Sequence, residues 1–174
     1  MTVALRNPNK PDDLLNYRLL RLFSLAGAPV VRLCEGRYGV TRREFRLLTL
    51  VVDGGPMSPS RLSELAHLDA ARASRVIAAL IRKQLVRREL QDSDRRHAVI
   101  AATPAGRELH AELFPQIAGI NGRLVEVLDG RQVAALDEIL DVLTRHATHL
   151  NETIVLDASA ARGKRRQRGM EDAD

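Results

Sequence analysis

Aromatic residues are nearly missing from this chain of 174 residues: there is no tryptophan, and two tyrosines with three phenylalanines make up 3% of it. Proteins that read single-stranded RNA or DNA stack bases on aromatic side chains, so a chain this poor in them is ill suited to that task. The single cysteine, Cys34, excludes an internal disulfide framework and a metal site built from several cysteines, and points to a reducing cytoplasm. No signal peptide opens the sequence. The longest strongly apolar stretch, Leu22 to Val31, lies between Arg21 and Arg32 and is too short to span a bilayer, which predicts a soluble protein with no membrane contact. There is no glycine-rich phosphate loop, no supported Ser/His/Asp set and no His/Cys/carboxylate cluster at metal-ligand spacing. The chain therefore reads as neither an enzyme nor a metal or cofactor protein, and His146 and His149, three apart without a third ligand, read as solvated helix positions.

What is abundant is arginine. Lys plus Arg number 27 against 22 Asp plus Glu, a net charge of +5, and nearly all of the basic residues are arginine. Guanidinium groups bind phosphate and guanine edges bidentately, so double-stranded DNA is the favoured partner. The length suits one DNA-reading module wrapped in dimerisation helices.

Residues 1–11 hold Pro8 and Pro11 among polar neighbours and read as a flexible arm. A first helix is expected from near Asp12. Leu14 to Cys34 is apolar on more than one face (Leu15, Leu19, Leu22, Phe23, Ala26, Val30, Leu33), which predicts burial from several sides and a partner chain, with Pro29 making a kink or a break. Among Val30, Val31 and Leu33, Cys34 reads as an inert buried thiol. Thr41-Arg42-Arg43-Glu44 is a capping box opening a second helix to Asp53, with Phe45, Leu48, Leu50 and Val51 as its apolar stripe. Gly54-Gly55-Pro56 ends that helix, and Ser58 caps a third, from Pro59 to about His67. Asp69 then caps a fourth, reaching Lys83, so two helices meet at the tight turn of a helix-turn-helix.

On the fourth helix Ala73, Val76, Ile77, Leu80 and Ile81 share one side, while Ala71, Arg75, Ala78 and Arg82 share the other. Small side chains admit the backbone to the floor of a major groove, where Arg75 can pair with guanine O6 and N7; Arg72, at the margin, suits a phosphate or a groove edge. Ser58 and Arg61 at the start of the third helix are further DNA-contact candidates, as is Arg82. The apolar segment Leu85–Leu90, the turn Gln91-Asp92-Ser93-Asp94-Arg95-Arg96 and the segment His97–Thr103 predict a two-stranded ribbon with adjacent arginines at its tip, over a minor groove. Thr103-Pro104 opens a long helix with Leu109, Leu113, Ile117, Ile120, Leu124 and Leu128 on one stripe, bent at Pro115. Asp129-Gly130-Arg131-Gln132 is a second capping box, ahead of a seam of Val133, Leu136, Leu140, Leu143, Ala147 and Leu150. Two such helices after a small module predict an isologous homodimer. The fold class is mainly α with a small β-hairpin wing: a helical dimerisation region at 12–40 and 104–156, a winged helix-turn-helix lobe at 41–103, and a disordered basic then acidic tail at 157–174.

This order of elements, with Ser74-Arg75-Val76, Leu85-Val86-Arg87-Arg88, Asp94-Arg95-Arg96 and Thr103-Pro104-Ala105-Gly106, resembles the MarR family of bacterial transcription regulators over roughly residues 12 to 152. The resemblance implies a triangular homodimer whose two winged lobes bind a pseudo-palindromic operator, usually repressing nearby genes until a small, often aromatic, acid binds. It implies that Arg96 enters the minor groove while Asp94 holds it, with Arg95 as second candidate, and it carries Ala71, Arg72, Ser74 and Arg75 over as reading positions. Gln84 stands where the family commonly has a glycine, so either it adopts a left-handed conformation or the helix ends differently. Relatives that sense peroxides use a cysteine near the start of the first helix, whereas Cys34 lies near its end. The implied effector, an aromatic carboxylate or a phenol, sits between the dimerisation helices and the lobe, with Tyr17, Arg18, Tyr38, Arg46 and His67 as candidates for holding it. Release would follow from a shift toward a lobe spacing that no longer fits major grooves one turn apart. A ligand-responsive repressor is the leading reading; a ligand-independent architectural DNA binder or an activator is the alternative.

Overall fold

A computed structural model of the chain describes residues 4–91 and 94–153, and the side chains at 90, 91, 94–97 and 152 lie outside that description. The tail expected at 157–174 and the first three residues of the expected arm also fall outside the described residues.

A short 3-10 turn, Pro11–Asp13, leads into helix α1, Leu15–Val31. Pro29 neither breaks α1 nor ends it. The helix runs on past the missing N–H, the Arg32 N–H is shared between the carbonyls of Ala28 and Pro29, and the winding then loosens into a π-helical turn, Arg32–Arg37. The wide turn carries Cys34 into the interior, where it is fully buried, and the Val40 N–H closes it on the Cys34 carbonyl at 3.1 Å. Burial, then the neighbouring Glu35, push the Cys34 thiol above its ordinary pKa, as befits an inert thiol.

The expected capping box forms at helix α2, Arg42–Gly54: the Glu44 N–H donates to the Thr41 hydroxyl at 3.1 Å, and the Thr41 N–H donates to the Glu44 carboxylate at 2.6 Å. Phe45, Leu48 and Val51 are buried as their spacing predicts, and Leu47 joins them, while Leu50 is half-buried. Gly55, at φ +74°, supplies the left-handed turn that ends α2. Ser58 caps helix α3, Pro59–Leu65, and Asp69 caps helix α4, Ala70–Arg82, each accepting from the N–H three residues on. The turn between them passes through His67 at φ +48°, so α3 stops two residues short of the expected end. Gln84 adopts φ +57°, which resolves the alternative left open at the glycine-favoured position: the left-handed conformation is tolerated.

Strands β1, Val86–Gln91, and β2, Asp94–Ala102, pair antiparallel from Val86 opposite Ala102 to Leu90 opposite Ala98. The register then jumps to Gln91 opposite Asp94. The backbone of Asp94, Arg95 and Arg96 is therefore strand, where the sequence had suggested a six-residue turn; the bulge absorbs residues that a simple hairpin count assigns to a loop. Met57 exchanges two backbone hydrogen bonds with Ile100 and ties the segment before α3 to the wing. Helix α5, Pro104–Val125, is capped by Thr103, whose hydroxyl accepts from the Gly106 N–H and donates to the Gln84 carbonyl. Here glycine is required by space, because a Cβ on Gly106 would lie 2.0 Å from the Leu85 carbonyl oxygen.

Leu47, Leu48, Leu62, Leu80, Ile100 and Leu113 are fully buried in one cluster to which α2, α3, α4, β2 and α5 all contribute. The described residues form two compact units, one ending at Glu126 and the other beginning at Val127. Helix α6, Gly130–Thr153, belongs to the second, and its capping box also forms, with the Asp129 N–H on Gln132 and the Gln132 N–H on Asp129, both at 2.9 Å. Two expectations of burial fail within the single chain. In α1, Leu19, Leu20, Leu22, Phe23 and Leu25 are 40% to 68% exposed and only Gly27 is buried, because one lobe offers a single face to pack against. In α4, Ile81 is exposed while Ala73, Ile77 and Leu80 are buried, since the apolar arc is wider than the surface it meets.

Candidate nucleic-acid interface

Helix α4 presents one face to the core and the opposite one to solvent. Ala71, Ser74, Arg75, Ala78 and Arg82 are all exposed, so the small, basic face inferred from spacing is a free surface. The Asp69 carboxylate does two things at its start: it accepts the Arg72 N–H at 2.8 Å and pairs with the Arg72 guanidinium at 3.2 Å. Arg72 is thereby held along the first turn of the helix. Arg75 folds back so that its Nε donates to the Ala71 carbonyl at 3.3 Å, which leaves the two terminal nitrogens of the guanidinium for other partners. Ser58 is exposed and engaged as a cap, and Arg61 pairs with Glu64 at 3.2 Å on the surface. Exposed pairs of this kind contribute little to stability and yield readily to a stronger anion. On the wing the backbone of Asp94, Arg95 and Arg96 lies on β2; their side chains are outside the described residues.

The far end of α4 is fixed by a contact that spacing alone does not reveal. Lys83 donates to the Glu44 carboxylate at 2.7 Å and to the Gly39 carbonyl at 2.7 Å. Glu44 is the buried acid of the chain's described core. Burial by itself would raise its pKa, but the Lys83 ammonium and the Thr41 N–H outweigh that and hold it below the usual carboxylate value. One carboxylate thus caps α2 and anchors α4.

The five residues expected to hold an effector do not come together. Tyr17 and Arg18 line a shallow groove along α1 with Asp12 and Arg21. Tyr38 is committed elsewhere, its hydroxyl donating to Glu112 at 2.8 Å and receiving the side-chain N–H of Gln116. Arg46 is exposed on α2, and His67 is exposed in the left-handed turn before α4. A different cleft, of about 730 Å³, opens between α1, the start of α2 and α4. Its apolar wall is Phe23, Ala28, Val31, Val76 and Ala79; its charged rim is Arg32, Arg42, Arg43 and Arg75 with Glu35 and Glu44. The Arg42 guanidinium lies 3.9 Å from the centre of the Phe23 ring. The cleft draws residues from α1, the π-helical turn, α2 and α4, and of its rim only Arg75 was a binding candidate in the sequence, and that was for DNA. Among the described residues no group of three or more His, Cys, Asp or Glu could hold a metal ion, and no helix is long and apolar enough to cross a membrane.

A tight helix pair with an exposed basic second helix, followed at once by a two-stranded wing, defines the winged helix-turn-helix class of DNA-binding lobes. Residues 38–97 match the MarR family model. A relative in Bacillus subtilis (strain 168), the uncharacterized HTH-type transcriptional regulator YwaE, is 28% identical over 107 residues, a match covering 56% of this chain and 63% of that protein. Solved structures share the fold. BpsR of Bordetella bronchiseptica, studied for regulation of its DNA binding by 6-hydroxynicotinic acid, aligns at a TM-score of 0.70 with 22% identity, covering 79% of this chain and 97% of that one. CouR of Rhodococcus jostii RHA1, bound to p-coumaroyl-CoA, aligns at 0.67 with 23% identity over 78% and 94%. AbsC of Streptomyces coelicolor, a MarR family transcriptional regulator, aligns at 0.68 with 23% identity over 76% and 90%.

Proposed function

We propose that the chain is a homodimeric, cytoplasmic transcription regulator, a repressor released from a pseudo-palindromic operator by a small aromatic or heteroaromatic acid. The observation that carries this reading is the exposed small and basic face of α4, backed by a buried apolar face and held at both ends by Asp69 and Lys83. Ala71 and Ser74 let the helix approach the groove floor and Arg75 reads a guanine edge, while Ser58, Arg61, Arg72 and Arg82 meet phosphates. Arg96, with Arg95 beside it, enters the minor groove, and Asp94 orients it. The exposed apolar faces of α1 and α6 favour a second copy, which would set two reading helices about one turn of duplex apart. The cleft beside α4 is the effector site this reading requires, and the 6-hydroxynicotinic acid named for BpsR supports the ligand class.

The test is a titration of the protein against duplexes it selects from a randomised pool, at two salt concentrations, with and without a panel of aromatic carboxylates. Palindrome-selective, salt-sensitive binding that a panel member abolishes is the expected result. Arg75→Ala should cost about 1–3 kcal/mol on the selected duplex and relax its base preference. Weak, sequence-indifferent binding untouched by every compound would support a ligand-independent architectural protein instead.

A further inference from the structure

The helical repeat of α4 sets Ala71 and Ala78 at the middle of its exposed face, with Arg75 and Ala79 toward one edge and Ser74 and Ile81 toward the other. The cleft opens on the first edge, since Arg75, Val76 and Ala79 line it and Ser74 and Ile81 do not. Facing α4 across it are Arg32, at the start of the π-helical turn, and Arg43, in the first turn of α2, both exposed. Among the described residues neither has a carboxylate within salt-bridge distance, whereas Arg42 lies over the Phe23 ring. The rim's carboxylates, Glu35 and Glu44, are outnumbered by its arginines, and Lys83 already neutralises Glu44. Like charges gathered beside a DNA-reading face repel one another in the free protein, and that repulsion is relieved when a polyanion lies across them.

We propose that Arg32 and Arg43 grip the phosphate strand that borders the major groove on the cleft side of α4. The inference rests on the regulator reading above and adds to it a DNA contact from outside the helix-turn-helix and the wing. A major groove is about 12 Å wide, so with α4 on its floor and Arg75 at a base edge, the bounding strand passes over the mouth of the cleft. There each guanidinium fork meets phosphate oxygens, and the apolar wall of Phe23, Val31 and Val76 stays behind the strand. Phosphates carry no sequence, so the two arginines add affinity for any duplex and fix the register in which Arg75 meets its base. Because Arg32 follows directly on α1, the end of the first helix is itself held against the DNA.

The test titrates the full chain, Arg32→Gln and Arg43→Gln against a duplex selected from a randomised pool and against an unrelated duplex, over a series of salt concentrations. Arg37→Gln is the control, because it removes the same charge from the same π-helical turn but outside the cleft. Arg32 and Arg43 are exposed, so their variants keep the fold, which circular dichroism verifies. Each rim variant should flatten the slope of log affinity against log salt by about 0.9 per protomer, or about 1.8 for two protomers on one duplex. Its loss of affinity should therefore shrink about tenfold between about 50 and 200 mM salt. The loss should be equal on both duplexes, with the selected base preference unchanged, and Arg37→Gln should keep the wild-type slope. Wild-type slopes in the rim variants, an equal flattening by Arg37→Gln, or an altered base preference would each overturn the proposal. In those cases the wild-type chain still selects its duplex and the regulator reading stands, whereas a chain that binds no duplex overturns both.

Discussion

The lobe and the long helices solve the burial problem in opposite ways. From Cys34 to Leu113 the chain closes a core on itself: six large aliphatic side chains are fully buried, and each of the helices α2 to α5 starts on a side-chain cap. Helix α6 has an equally good cap, yet Val133, Leu136, Ile139, Leu140, Val142 and Leu143 are all 36% or more exposed, as are Leu19, Leu20, Leu22 and Leu25 of α1. A cap decides where a helix begins and says nothing about what covers its side. The same apolar periodicity therefore yields a finished core in one region and an exposed apolar surface in the other.

The sharpest way to break the self-sufficient half is Gly106→Ala. The new methyl would meet the Leu85 carbonyl, a backbone atom fixed by the Thr103 N–H at 3.1 Å, so α5 must be displaced from the lobe. The expected loss is about 3 to 4 kcal/mol in denaturant unfolding, at the upper end for overpacking. The unfinished half is tested by Leu140→Glu on α6, which should leave the lobe's unfolding unchanged. It should weaken self-association by on the order of a hundredfold, since two copies each lose about 1.5 kcal/mol of apolar burial. Sedimentation across a concentration series reads this directly, and an unchanged oligomer would remove α6 from the interface.

A smaller effect separates the lobe's internal joint from its core. Glu44 has a folded pKa below its unfolded value of about 4.3, so the stability it confers is fully present above that value and is lost as pH falls through the folded pKa. Glu44→Gln should lower stability at neutral pH by about 1–3 kcal/mol, because Lys83 loses its charged partner, and should flatten the fall below about pH 4.3. If wild type and variant lose stability in parallel over that range, another carboxylate governs the acid limb.

What the sequence disclosed and what it hid divide along a physical line. Caps are local, three residues across, and Thr41, Ser58, Asp69, Thr103 and Asp129 were all legible as such. The opposed faces of α4 were legible for the same reason, apart from Ile81 at the edge of the arc. The cleft was not legible, because Phe23, Arg42 and Arg75 meet only after three helices pack, and Tyr38 looked available until Glu112 and Gln116, far along the chain, claimed its hydroxyl. Leu47 escaped notice because α2 is covered on two sides, by α4 and by α5, where a single stripe predicts one. The Asp94 start of β2 depends on a bulge, which sequence alternation does not encode.

The smallest expected effect concerns the junction where the two halves of the lobe meet. Gln84 sits at φ +57° between the end of α4 and the start of β1, and its carbonyl accepts the Thr103 hydroxyl at 2.7 Å. The backbone there is held by contacts on both sides, so the left-handed conformation persists although a side chain disfavours it by about 1–2 kcal/mol. Gln84→Gly removes that cost and adds back about 0.5–1 kcal/mol of chain entropy in the unfolded state. The net expectation is a gain of about 0.5–1 kcal/mol in the lobe's unfolding, with no change in self-association. A loss instead would mean that the Gln84 side chain, exposed as it is, contributes more to the wing junction than its strain costs.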